Sequence, residues 1–138
     1  MVEKWYWIAL LAVLLFALGS FFGKIASIND SVPYRVYFFE AIGTLCVFSA
    51  VIFFKRSEIF TDFTFNPHGL LMGLCWGIGT VMFIIVLQHA KLSVTVTLTA
   101  LYPALTVILA YLFLGERLGP REVTAVILAV TSGVLLAK

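Results

Sequence analysis

The sequence predicts an all-α integral membrane protein of five transmembrane helices. Two observations lead there. The 138 residues are 62% hydrophobic and 12% charged, with a mean hydropathy of +1.10. A soluble domain of this length could not hide so much apolar surface. The apolar residues also gather into five runs, at 5–23, 34–54, 68–88, 94–114 and 121–137, parted by short polar links. Each run is near the ~20 residues that cross the hydrocarbon core as a helix. No link is long enough to hold a soluble domain, so residues 1–138 read as one transmembrane domain.

The first run is entered through Trp5-Tyr6-Trp7, amphipathic rings suited to the headgroup boundary. It is long enough to span, and further spans follow, so it reads as a retained helix and not a cleaved secretory signal. Gly19 and Gly23 mark one face for close packing. Lys24 ends the run, and residues 27–33 form a link rich in turn formers. The second run contains the one charge well inside a span, Glu40, and closes at Lys55-Arg56. Ser57 to Asn66 is polar with interleaved apolar residues, which suits a loop lying at the interface.

Asn66-Pro67 reads as an N-cap followed by a first-turn proline. Gly69, Gly73 and Gly77 then give the third helix a ridge along which backbones can approach, placing it inside the bundle. The link at 89–93 is short enough to make the third and fourth spans antiparallel neighbours. The fourth span passes through Tyr102-Pro103 and stops at Leu114-Gly115, where glycine enters the left-handed conformation without a Cβ penalty. Pro120 suits the first turn of the fifth span. There, Ala125, Ala129, Gly133 and Ala137 form a second small-residue ridge, for packing within the chain or against another subunit. Cys46 and Cys75 fall inside apolar runs and read as small buried hydrophobes, not as a disulfide pair or metal ligands.

Glu40 is the leading functional candidate. It lies six residues past Tyr34, or ~9 Å along the helix axis, below the interface of a core ~30 Å thick. A carboxylate at that depth is costly unless it is protonated, paired or facing water. Tyr37, Glu40 and Thr44 share one helix face. They read either as a site for a proton or a cationic substrate, or as a polar stripe with Glu40 anchored to Lys24 or Arg35. In the fourth span Thr95, Thr99, Tyr102 and Thr106 fall on one face beside Pro103. A proline kink there frees a carbonyl, and the hydroxyls could line a solvated path; the plain alternative is that they bond back to their own helix. Trp76, with Thr80 on the same side of the third span, could wall a flat or cationic substrate, or simply pack beside Gly73 and Gly77. Gln88 and His89 sit at a helix end, where headgroups or water would meet them. Glu116 and Arg117 read as a cap and an interfacial salt pair.

Five spans place Lys4, Lys55, Arg56, Arg117 and Arg121 on one side of the membrane, and Lys24, Arg35, Lys91 and Lys138 on the other. A split of five against four barely selects an orientation, whereas a clear excess on one side would fix it.

The run from Leu101 to Leu136, with Tyr102-Pro103, the turn Leu114-Gly115-Glu116-Arg117 and a final small-residue helix, resembles the end of an EamA domain. That domain is the repeat unit of the drug/metabolite transporter superfamily. The likeness extends back through the glycine-rich third span to Lys24, and so covers essentially the whole chain. It implies secondary transport of a small molecule by alternating access, with proton or exchange coupling. The expected location is the cytoplasmic membrane of a prokaryote. Two departures stand out. Typical members carry two repeats in ten spans, and many show a basic residue where this chain has Glu40. Tandem five-span units enter the membrane in opposite orientations, because the count is odd. A single unit rebuilds that plan by pairing with an inverted copy of itself. The near-even charge split is what dual insertion requires, so the sequence predicts an antiparallel homodimer of ten helices.

Other classes fit poorly. No nucleophile–base pair, metal-ligand cluster or phosphate-cradling glycine loop is present, so neither an enzyme nor a cofactor or metal is expected. No basic patch could hold nucleic acid. The expected partners are the lipid bilayer, a second copy of the chain and a small-molecule substrate. The competing reading is a non-transporting or accessory subunit that works with a different chain.

Overall fold

The computed structural model describes residues 4–61 and 63–136, and among these the chain is helical with no strand. It forms two compact units, Met1–His89 and Ala90–Lys138. Among the described residues, four stretches are long and apolar enough to cross a membrane: Trp5–Asn29, Pro33–Phe60, Pro67–His89 and Leu92–Leu114. The stretch expected as a fifth span is a helix of 17 described residues, ~26 Å long.

The first unit holds α1 (Lys4–Asn29), α2 (Pro33–Phe60) and α3 (Pro67–His89). Helix α3 packs against both others. Helix α1 does not stop at Lys24 but continues to Asn29, because Lys24 is used inside the fold. Its Nζ donates to the Leu87 carbonyl at 2.5 Å, near the C-terminus of α3, where the helix dipole favours a cation. At the preceding residue, a Cβ placed on Gly23 would make ordinary contact with Leu87 Cδ1 at 3.5 Å, so α1 and α3 lie close together here. The link after α1 is pinned in the same place. Asp30 pairs with Arg35 at 3.2 Å, and its carbonyl accepts from Gln88 Nε2 at 3.2 Å. Gln88 therefore ties two helix ends together, where the sequence had placed it among headgroups or water.

Helix α2 also outruns its expected end. The backbone breaks at Lys55 (φ −119°, ψ 21°) and then resumes as helix to Phe60. The first four residues of the segment read as an interfacial loop, 57–60, thus form a final helical turn beyond a kink. Helix α3 begins as its sequence indicated, with Asn66 Oδ1 accepting from the Gly69 N–H at 3.0 Å. Losing that cap in Asn66→Ala should cost about 1 kcal/mol. A lowered midpoint in thermal unfolding of the detergent-purified protein, with Asn66→Ser close to wild type, is the expected result.

The second unit holds α4 (Leu92–Thr99), α5 (Tyr102–Leu109) and α6 (Pro120–Leu136), with α6 packed on both shorter helices. The fourth span is therefore not one continuous helix. Pro103 offers no N–H and its ring crowds the carbonyl one turn back. The interruption falls just upstream, at Ala100 and Leu101, where the Leu101 N–H turns to Leu98 at 3.2 Å. A π-helical turn, Ala110–Leu114, then widens the end of the span before Gly115 closes it at φ 67°, ψ 20°. Helix α6 starts at Pro120, and Glu122 Oε2 accepts from the Gly119 N–H at 2.5 Å. That is half of a capping box, with Glu122 at the third helical position after Gly119.

Burial is sparse. Among the described residues the buried hydrophobics are Val36, Ile84, Leu87 and Ala104, while Phe53 and Phe54 are 79% exposed. Water would not tolerate so much exposed apolar surface, but lipid chains solvate it as well as a protein core does. The same reasoning corrects the cysteines, which are free and exposed, not buried.

Candidate functional site

Helices α2 and α3 bring the acidic and aromatic candidates to one place. A groove of about 460 Å³ runs between them, within the size range that accepts a small organic molecule. Tyr37, Glu40 and Thr44 reach it from α2, and Trp76 and Thr80 from α3. Their spacings, i, i+3, i+7 on one helix and i, i+4 on the other, put each set on a single face. Gly73 and Gly77 lie in the same wall. A Cβ on Gly77 would sit 3.4 Å from Tyr37 Oη, whereas one on Gly73 would meet nothing within 4 Å. The glycine ridge thus admits Tyr37 at one step and leaves space at the next.

Glu40 is exposed to the groove. Its Oε1 accepts from Thr44 Oγ1 at 3.2 Å, and among the described residues it forms no ion pair. Neither expected anchor reaches it, since Arg35 holds Asp30 and Lys24 holds the Leu87 carbonyl. A carboxylate left with spare acceptor capacity beside a phenol, a hydroxyl and an indole can bind a cation, a proton or a hydrogen-bond donor. Thr80 spends its hydroxyl on the Trp76 carbonyl at 2.9 Å, which leaves it an acceptor toward the groove.

The fourth-span candidates belong to the second unit. Thr95 is buried and donates to the Lys91 carbonyl at 3.1 Å. Thr99 donates to Thr95 and Val96, and Thr106 to Tyr102, each at 3.0 Å. Their hydroxyl protons are thus used within their own helices. Tyr102 and Pro103 are exposed.

The small-residue positions differ among themselves. A Cβ on Gly19 would meet nothing within 4 Å, and Gly69 has only its own cap, Asn66, nearby. Ala125 and Ala129 are exposed, Ala137 lies outside the described residues, and Gly133 is tightly seated against Leu101. Sequence reasoning missed Ser27, a buried serine whose Oγ has no hydrogen-bond partner among the described residues. No motif marks it. Among the described residues no group of His, Cys, Asp and Glu is placed to hold a metal ion.

Residues 3–137 match the model of the EamA-like transporter family. The chain belongs to that family. Four membrane-length helical stretches among the described residues and this membership make it a multi-pass membrane protein of a transporter family. An uncharacterized protein of Methanocaldococcus jannaschii is 25% identical over 130 residues, which cover 94% of this chain and 93% of the relative. No solved structure matches the chain.

Proposed function

We propose that this EamA-like chain is one half of a secondary transporter that moves a small metabolite or drug-like molecule across the cytoplasmic membrane by alternating access. Two copies inserted in opposite orientations make the working unit, with α6 as the fifth span of each. The substrate and the coupling proton share the α2–α3 groove and compete for Glu40. The observation that carries this reading is the meeting of Glu40, Tyr37, Thr44 and Trp76 in that groove, with Glu40 free of any ion pair among the described residues. An intramembrane carboxylate without an ion-pair partner is a functional site by default.

The relative supports the single-unit plan. The match covers 93% of it, so it has no room for a second five-helix unit. The odd span count expected from the sequence and the near-even charge split both support inverted pairing.

The test is topology with transport. A reporter fused after Lys138 should be found on both faces of the membrane, and the purified chain alone in proteoliposomes should exchange amines for protons. A reporter on one face in every copy would falsify the antiparallel homodimer and point to a partner chain of opposite orientation.

A further inference from the structure

A second concavity, of about 550 Å³, lies at the end of α2 and is lined by Phe53, Phe54, Arg56, Ser57, Phe60 and Thr61. We propose that it is a binding site for one anionic phospholipid, its phosphate held by Arg56. The site shares no residue with the α2–α3 groove and stands or falls independently of the transport reading.

Depth comes first. From Pro33 to Phe54, α2 spans about 22 residues, or ~33 Å, which matches a hydrocarbon core of ~30 Å. The break at Lys55 therefore falls where the chain leaves the acyl chains, and Arg56 to Thr61 lie at headgroup level. Two adjacent cations enter that level, and the break separates their roles. Lys55 Nζ is captured by Glu58 Oε1 at 2.6 Å. Arg56 forms no ion pair among the described residues and lines the concavity. Thr61 Oγ1 donates to the Ser57 carbonyl at 2.5 Å. The donors left at the concavity are then the guanidinium of Arg56 and the hydroxyl of Ser57. A guanidinium and a phosphate pair through two parallel hydrogen bonds.

The rest of the wall is phenylalanine. Phe53 and Phe54 are 79% exposed and Phe60 is 55% exposed, which suits the glycerol backbone and upper acyl chains. This argues for a lipid over free phosphate, which gains nothing from apolar walls. The charged side chain among the concavity's lining residues is the cation of Arg56, which an anionic headgroup complements by its net charge and a zwitterionic one does not.

The experiment compares phosphatidylglycerol, phosphatidylcholine and inorganic phosphate as additives to the detergent-purified chain, reading thermal midpoint and lipid retained in native mass spectra. Phosphatidylglycerol should raise the midpoint, and the other two should not. Arg56→Gln should weaken phosphatidylglycerol retention by about fivefold. The charge-neutral double variant Lys55→Gln/Glu58→Gln should keep it. Equal loss in both variants would mean that retention does not depend on the Arg56 guanidinium in particular and would overturn the site. So would equal stabilisation of wild type by phosphatidylcholine, a comparison that holds even if Arg56→Gln fails to fold. Stabilisation by inorganic phosphate alone would overturn the lipid in favour of a free anion.

Discussion

Glu40→Gln should lose proton-coupled exchange altogether while folding normally. The amide keeps the shape of the side chain and can still accept from Thr44 Oγ1, which donates to Glu40 at 3.2 Å. It carries no negative charge and gives up no proton. In the proposed exchange both properties are needed, because substrate and proton take turns on one carboxylate. Hydrogen bonds to a charged group contribute ~1.5–3 kcal/mol, so amine affinity should fall roughly 10- to 100-fold. A pH gradient across the proteoliposome should no longer drive uptake. Two measurements separate the effects: equilibrium binding of the amine that best stabilises wild type, and uptake of that amine with and without the gradient. Unchanged uptake with an unchanged response to the gradient would remove Glu40 from the mechanism. Thr44→Val is the milder companion. It removes one hydrogen bond and leaves the charge, so affinity should shift by less than about tenfold.

Much of the fold was legible because a membrane chain carries its constraints in one dimension. Spans are read from apolar run length, and the starts of α3 and α6 from Asn66-Pro67 and Pro120. The end of the fourth span was equally plain in Gly115, whose positive φ is confirmed. Helix ends set by tertiary contact were not legible. Lys24 looked like a terminator because cations usually flank spans, yet its partner is a carbonyl 63 residues away, invisible to local pattern. The same holds for Gln88 and Asp30. The break at Lys55 and the π-helical turn at Ala110 have no composition of their own, since both arise from how the backbone is held and not from which side chains it carries.

The candidate site divides along a similar line. Tyr37, Glu40 and Thr44 could be placed together because one helix face is a matter of counting. That Trp76 and Thr80 stand across from them depends on the rotation of α3 about its own axis, which no spacing specifies. The glycines show how far a motif can mislead. Four-residue spacing in α3 promised close backbone approach at every step, but a Cβ on Gly73 would meet open space. In a chain whose neighbours are lipid or a second copy, small residues mark where something can come close without naming what does.

Gly133→Leu should strongly unsettle the second unit. A Cβ added at this position would lie 2.5 Å from Leu101 Cδ2 and 2.9 Å from its Cγ. The first atom can swing aside by rotation about χ2; the second moves only by a change of χ1 or a shift of the backbone at the interruption between α4 and α5. Forcing extra methylenes into such a contact costs ~1–3 kcal/mol or more. Gly133→Ala should then lower the thermal midpoint clearly, and Gly133→Leu should leave little folded protein in detergent. The cause is specific enough to be reversed. Shortening the opposing side chain in Leu101→Ala should restore much of the loss in a Gly133→Ala background, and the two changes should be strongly non-additive. Simple addition of their effects would mean that Gly133 is needed for some reason other than the space it leaves for Leu101. Rescue would identify α6 as the seat on which the proline-interrupted span rests, and so as the element that sets the angle between α4 and α5.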